Sequence, residues 1–213
     1  FMEGTSYNTL WAYRIHRIEN GYPVAVDKDG NDLVKFNEDG TVASITSGSS
    51  LKGTDDLVNL GSLTPKFSGS VGLRFNYKNF DLNIYFYGEA GRKRGASYYE
   101  GWTRMDNGIN VSTYALKAFS SNNLTATDPT YVRGGNGWGD YYVKSIYYVR
   151  CGSITLGYKV PISQKIVNNL RVYVDVNNPF VITNWTGLDP ETDNGTYAYP
   201  NVTSYNFGVS ISF

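Results

Sequence analysis

The last nine residues, Tyr205-Asn-Phe-Gly-Val-Ser-Ile-Ser-Phe213, alternate without a break. Tyr205, Phe207, Val209, Ile211 and Phe213 share one face of an extended strand, and Asn206, Gly208, Ser210 and Ser212 share the other, because strand side chains point alternately to opposite faces. The same period recurs upstream. Phe67, Val71, Leu73, Phe75 and Tyr77 oppose Ser68, Ser70, Gly72, Arg74 and Asn76. After only Lys78-Asn79, Phe80, Leu82, Ile84 and Phe86 oppose Asp81, Asn83, Tyr85 and Tyr87, so these two runs predict a hairpin with a tight turn. A long strand is predicted over about 141–160, ending with Ile154, Leu156, Tyr158 and Val160 on one face. Val149 and Cys151 fall on the other parity, so a bulge near Gly152 is needed to keep a single apolar face. Leu170, Val172, Val174 and Val176 form a further strand, and Asn8–Ile18, with Trp11, Tyr13 and Ile15 on one face, is read as the first.

The connections alternate in length. Residues 19–65 make a long excursion carrying a small hairpin, marked by Asp29-Gly30 and Asp39-Gly40 around Leu33–Phe36. Residues 88–140 make a second, with a short helix over Thr113–Phe119, and 178–198 a third; between them come the two-residue turn and the short link 161–169. Transmembrane β-barrels have this rhythm, with short periplasmic turns and long outside loops. An eleven-residue strand rising about 3.3 Å per residue and tilted about 40° climbs about 28 Å, close to the apolar band of about 25 Å. The five clearest apolar faces hold about 23 residues and no charge, where the overall charged share of 18% would give about four. Arg74, Asp81, Lys159, Arg171 and Asp175 all lie on the opposite, lumenal face, and Tyr77, Phe80 and Phe213 fit a periplasmic aromatic girdle. The fold class is all-β: the C-terminal part, about six antiparallel strands, of a large transmembrane barrel. Six strands cannot close one, and an open edge cannot face lipid. The chain, which starts at Phe1 inside patterned sequence, is therefore expected to be a piece of something longer.

Composition narrows the function. The 19 basic residues balance the 19 acidic ones, which argues against nucleic acid. The 19 Tyr, 10 Phe, 4 Trp and 23 Gly favour strands, turns and wet aromatic surfaces. The single Cys151 excludes an internal disulfide and a thiolate metal cluster. No run of about 18 apolar residues and no charged leader is present, so neither a membrane helix nor a signal peptide is expected, and a barrel strand needs neither.

Three stretches go beyond pattern: Gly61-Ser-Leu-Thr-Pro-Lys-Phe67 leading into the Phe75–Asp81 hairpin, Tyr148-Val-Arg-Cys-Gly-Ser-Ile-Thr-Leu-Gly-Tyr-Lys-Val-Pro161, and Leu170–Phe180 followed by Gly187-Leu-Asp-Pro-Glu191. In order and spacing they resemble the C-terminal third of SusC/RagA-type TonB-dependent outer-membrane transporters, over most of residues 1–213. Departures are small: members usually carry a longer aliphatic residue and a charged or amide residue near Cys151-Gly152, and the loop at 92–140 is individual. The resemblance implies a bacterial outer-membrane barrel of about 22 strands; the alternation of short and long connections puts the C-terminus in the periplasm, and no enzymatic step or cofactor is expected. The resemblance implies as partners the rest of the barrel and its plug, a SusD-type surface lipoprotein, TonB acting through a region absent here, outer-membrane lipid, and an imported glycan or peptide. The rival readings are a soluble, aromatic-rich β-sandwich that binds carbohydrate, and a hydrolase.

Trp102, Trp138, Trp185 and Tyr197 fall in the outside loops, where aromatic faces could stack on sugar rings, pack on a lid protein or simply pack the loop. Asp189 and Glu191 could act as a glycosidase pair, but loop carboxylates beside Pro190 are the simpler reading; together these six are the candidate substrate- or lid-contacting residues. His16, the only histidine, is expected at an ordinary strand position. Asp27, Asp29 and Asp32 resemble a calcium loop, yet Gly30 is misplaced for an EF-hand, so a polar turn is expected and no metal. Gly134–Gly139 is read as loop, and Arg92-Lys93-Arg94 as a solvated rim or a grip on lipopolysaccharide phosphate. The Asn-x-Ser/Thr triplets at Asn110, Asn123, Asn184, Asn194 and Asn201 carry no weight in a bacterial protein.

Overall fold

A computed structural model describes residues 4–45, 56–95, 113–117, 124, 139–162, 167–192 and 199–213. The chain divides into two units, the first comprising Phe1–Thr64, Arg92–Ser145 and Asp193–Ala198, the second Pro65–Gly91, Ile146–Thr192 and Tyr199–Phe213.

In the first unit, short strands pair locally. β1 (Thr9–Ala12) pairs with β6 (Val58–Ser62), β2 (Arg14–Glu19) with β3 (Tyr22–Val26), and β4 (Val34–Phe36) with β5 (Val42–Ile45), all antiparallel. The expected first barrel strand, Asn8–Ile18, is thus divided at Tyr13 between two small sheets and takes no part in the large one. The cause is Asn20-Gly21. Both residues sit at positive φ, 49° and 77°, the conformation a two-residue hairpin turn requires, and they fold Tyr22–Val26 back onto β2. Val24, Ala25, Val26, Leu33 and Val34 form the buried centre of this unit. The helix expected over Thr113–Phe119 appears as a 3-10 turn at Thr113–Lys117.

The second unit carries one long-stranded sheet in the order β11-β10-β9-β8-β7. Its members are β7 (Phe67–Tyr77), β8 (Phe80–Gly95), β9 (Val143–Val160), β10 (Asn169–Thr183) and β11 (Ser204–Ser212). At 11, 16, 18, 15 and 9 residues they exceed the five or six usual in soluble sheets. β8 and β10 outrun the alternation, so the excursions expected from residues 88 and 178 begin only after Gly95 and Thr183. Lys78 takes a positive φ of 53° in the tight turn, and Asn79 accepts a 2.8 Å hydrogen bond from the Lys159 amide, tying that turn to β9.

Register puts apolar against apolar. Val174 lies opposite Phe207 on one side and Leu156 on the other; Leu73 faces Ile84 and Phe75 faces Leu82. The irregularity expected near Gly152 is present at that height: β9 and β10 shift register between Asn177 and Phe180, opposite Cys151 and Ser153, with Asn178 at a φ of 51°. Beyond it Ile182 pairs with Val149, both exposed, while Arg150 and Tyr148 are buried.

This apolar face is open. Phe207 is 80% exposed, Phe75 55% and Val174 36%, and Ile84 is half-buried. A β-sandwich would seal these four inside a dry core; instead they share one uncovered face of a single sheet. Soluble monomers rarely expose so continuous an apolar patch, and a lipid-facing barrel wall does so by design. Among the described residues no strand pairs with the outer side of β7 or of β11, so the sheet has two free edges.

The opposite face is polar and held by groups that span strands. Arg171 of β10 reaches Asp81 of β8 at 2.6 Å across β9, which is possible because Gly157 lies between them; a Cβ there would meet the Arg171 guanidinium at 2.4 Å. Arg171 also stacks on Tyr173, 5.0 Å from the ring centre, and Tyr173 covers Gly208, where a Cβ would sit 2.3 Å from the ring. Gly208→Ala must therefore displace that ring from β11. We expect a loss of about 1–3 kcal/mol in urea unfolding from lipid vesicles, with the neighbouring Ser210→Ala near zero and the loss largely relieved when Tyr173→Ser is added. Equal effects at Gly208 and Ser210 would rule the packing out.

Candidate functional site

The densest polar cluster gathers on Arg150, in the upper half of β9. Its Nη2 donates to both oxygens of Asp189 at 2.8 Å, and its Nε donates to Glu191. The side chains of Arg150, Asp189 and Glu191 are only 3%, 4% and 19% exposed. Tyr87 of β8 and Tyr148 of β9 donate their hydroxyls to Glu191 at 3.2 and 3.3 Å, their rings meeting edge to face. Asp189 in turn accepts the Glu191 amide at 2.9 Å, closing a local turn around the fully buried Pro190. It also accepts the Asn201 amide at 3.1 Å, while Asn201 Nδ2 donates to Glu191. The two ends of the connection between β10 and β11 are therefore fastened to each other and to the wall through one guanidinium, whose fixed fork suits two carboxylates at once.

Nearer β10 the fastening continues. Asn184 accepts the Tyr147 amide at 2.9 Å, and the Thr183 hydroxyl donates to the Tyr147 carbonyl at 2.7 Å while accepting the Trp185 amide at 3.0 Å. Trp185 itself is buried.

Of the six residues singled out in the sequence, the structure brings Asp189 and Glu191 together and buries Trp185 nearby in the chain; Trp102, Trp138 and Tyr197 lie outside the described residues. The two carboxylates converge on one arginine and on their own loop backbone, rather than flanking a space where a glycosidic bond could sit. Arg150, Tyr87 and Tyr148 are site residues that the sequence does not mark out, and Asn201 stands out in it only as the start of an Asn-x-Ser/Thr triplet. The available signal was an arginine inside the apolar Tyr147–Cys151 run, since a charge at such a position needs a partner. His16 is exposed on β2. Arg92-Lys93-Arg94 lie within β8 rather than a loop, with Arg94 buried. Most of Gly134–Gly139 lies outside the described residues.

The aspartates of 27–32 form a polar turn. Asp27 accepts the amides of Asp29 and Asn31 at 2.9 and 2.7 Å and the Asn31 side chain at 3.0 Å, and Asp32 is claimed by Arg17. Among the described residues no group of three His, Cys, Asp or Glu side chains converges as a metal site would require. The Asn31 side chain, together with backbone amides, holds the Asp27 carboxyl below the usual carboxylate range. That tie is full above the unfolded value of about 3.9 and is lost as pH falls through the lower, folded one. Hydrogen exchange, corrected for intrinsic rates, should keep the Asp29 and Asn31 amides protected at mildly acidic pH. Protection should disappear in Asp27→Ala at every pH; unchanged protection in that variant would contradict the assignment.

No protein-family model matches the chain. It is 31% identical over 224 residues to TonB-dependent receptor SusC of Bacteroides thetaiotaomicron, a match covering 99% of this chain and 20% of that protein. It is 26% identical over 180 residues to TonB-dependent receptor P3 of Formosa agariphila, covering 75% of this chain and 18% of the relative. The chain thus spans about a fifth of the length of the curated relatives it matches. Among solved structures it superposes on the RagAB peptide importer in its closed-closed state with a TM-score of 0.75 at 20% identity, covering 100% of this chain and 25% of that one. A second structure, of the RagAB peptide transporter, gives a TM-score of 0.74 at 20% identity over 96% of this chain and 23% of that one.

Proposed function

Because this chain matches a portion of the SusC/RagA-type TonB-dependent transporters in sequence and in fold, we propose that it forms barrel wall and outside loops of an outer-membrane nutrient importer. The observation that carries this reading is the charge-free, open apolar face of the five-stranded sheet, backed by a polar face crossed by ion pairs. The apolar side meets lipid and the polar side a wet lumen. The tight Lys78-Asn79 turn and the C-terminus lie in the periplasm, and the long connections lie outside. A SusD-type lipoprotein closes over those connections, and TonB supplies energy through another part of the parent protein. The cargo is a glycan or a peptide, and the likeness in fold to a peptide importer supports the second. Trp102, Trp138 and Tyr197 contact cargo or lid, the buried Trp185 packs the loop, and the Arg150 cluster sets the posture of the connection that bears Trp185 and Tyr197. No step of covalent chemistry is assigned to the chain.

The test is uptake. Cells making the parent protein should accumulate one class of labelled oligosaccharide or oligopeptide, and should stop when the proton-motive force is collapsed or the gene is removed. Uptake that is indifferent to both would overturn the proposal. Orientation is checked separately: a peptide tag inserted within 96–112 should be labelled on intact cells, whereas a tag after Phe213 should need permeabilised ones.

A further inference from the structure

One cross-strand pair on the lumenal face is mismatched. Arg171 of β10 lies directly opposite Lys159 of β9 in register, and like charges so placed destabilise a sheet. Other charged positions of this face meet compatible neighbours: Asp175 lies opposite Thr155 and Asn206, and Arg74 lies opposite Asn83. Asp81 answers only part of the excess. Its two oxygens accept from Arg171 at 2.9 and 2.6 Å, while Lys159 and Arg74 act on it only through space. Lys159 and Arg74 are both exposed, and among the described residues neither forms an ion pair; Arg74 donates its Nε to Asn83 at 2.8 Å and keeps both terminal nitrogens free. Three cations therefore share one carboxylate.

The patch lies at the short-turn end of the sheet, since the Lys159 amide is bonded to the Asn79 carbonyl and Asp81 follows that turn by two residues. Opposed cations fixed by register are present whether or not cargo is passing. The anion that offsets them therefore belongs to the resting protein, and a transient ligand would relieve the repulsion only during its passage. The chain spans about a fifth of the length of the relatives it matches, so most of the parent protein lies beyond it. A barrel of about 22 strands encloses more space than its own side chains fill, which leaves room inside for another part of the parent.

We propose that Arg74, Lys159 and Arg171 dock a carboxylate-bearing segment of the parent protein, from outside residues 1–213, against the lumenal wall. The inference rests on the barrel-wall reading above. A guanidinium offers a carboxylate two parallel donors and an ammonium adds a point charge beside them, so an Asp or Glu side chain suits the patch. Asp81 holds Arg171 in place across β9 and so positions the patch without neutralising it.

Zero-length cross-linking of the parent protein in outer-membrane vesicles, with no peptide or glycan added, tests this directly. A carbodiimide activates a carboxylate, and an amine in contact with it displaces the activating group as a urea and forms an amide. Peptide mass spectrometry should find Lys159 Nζ joined to an Asp or Glu of the parent outside residues 1–213. The product should vanish in Lys159→Arg, which keeps the charge but lacks the primary amine. Arg74→Gln combined with Lys159→Gln should speed hydrogen exchange in the joined segment about tenfold, while β10 keeps its rate. Lys159 joined to a copurified peptide, to a residue within 1–213 or to nothing would overturn the proposal, as would exchange that the double variant leaves unchanged. The barrel-wall reading fails separately: a nitroxide at position 159 that meets oxygen as in hydrocarbon would mean that this face points to lipid.

Discussion

Phe207→Arg should cost about 2–4 kcal/mol of stability in a bilayer, and Asn206→Arg, one residue away, far less. Phe207 lies six residues before Phe213, which at about 3.3 Å per residue and a tilt of about 40° places it about 15 Å from the C-terminal end of the strand, near the middle of an apolar band of about 25 Å. It is 80% exposed on the apolar face, beside Val174. Arginine there meets hydrocarbon, whereas Asn206 faces the lumen beside Asp175, to which its amide extends at 3.4 Å. Urea titration of the parent protein in lipid vesicles, scored by heat-modifiable mobility, reads both variants. Equal losses at 206 and 207 would mean that the two faces do not differ in solvent.

Arg150→Met should be the most damaging single change on the lumenal face, costing about 3–5 kcal/mol, because it leaves the buried Asp189 carboxylate and its neighbour Glu191 without their cation. Removing the carboxylates as well, with Asp189→Asn and Glu191→Gln, should recover most of the loss, since an intact neutral set is cheaper to bury than a broken charged one. Arg17→Ala makes the contrast: its partners Asp32 and Glu19 are more than a third exposed, and an exposed pair contributes about 1 kcal/mol or less. Limited proteolysis gives the local readout. Cleavage between Asn184 and Thr203 should accelerate in Arg150→Met and return toward normal in the triple variant. An Arg150→Met protein as resistant as its parent would show that the cluster does not fasten this loop.

How much of this was legible depended on how far each element's meaning lies along the chain. The strands at Phe67–Tyr77 and Ser204–Ser212 could be read residue by residue, because period-two alternation is local and a one-residue slip would turn every apolar side chain to the wrong face. The tight turn was legible for the same reason. Asn8–Ile18 alternates equally well, yet alternation names a strand and not its partner; the decisive signal was Asn20-Gly21, a hairpin turn that claims β2 for β3. The Arg150 cluster was not legible, since its members are 39 and 41 residues apart and nothing local says which carboxylate an interior arginine will meet.

The central claim is that one face of this sheet meets hydrocarbon and the other a watery lumen. Nitroxide labels placed singly from Leu170 to Thr183 of the parent protein in lipid vesicles, with collision rates to oxygen and to a water-soluble nickel chelate recorded at each site, test it most directly. Oxygen contact should peak at Val172, Val174, Phe180 and Ile182 and nickel contact at Arg171, Tyr173 and Asp175, in strict alternation through the regular part of the strand. A profile with no alternation, or with nickel reaching Val174 as readily as Asp175, would contradict the account.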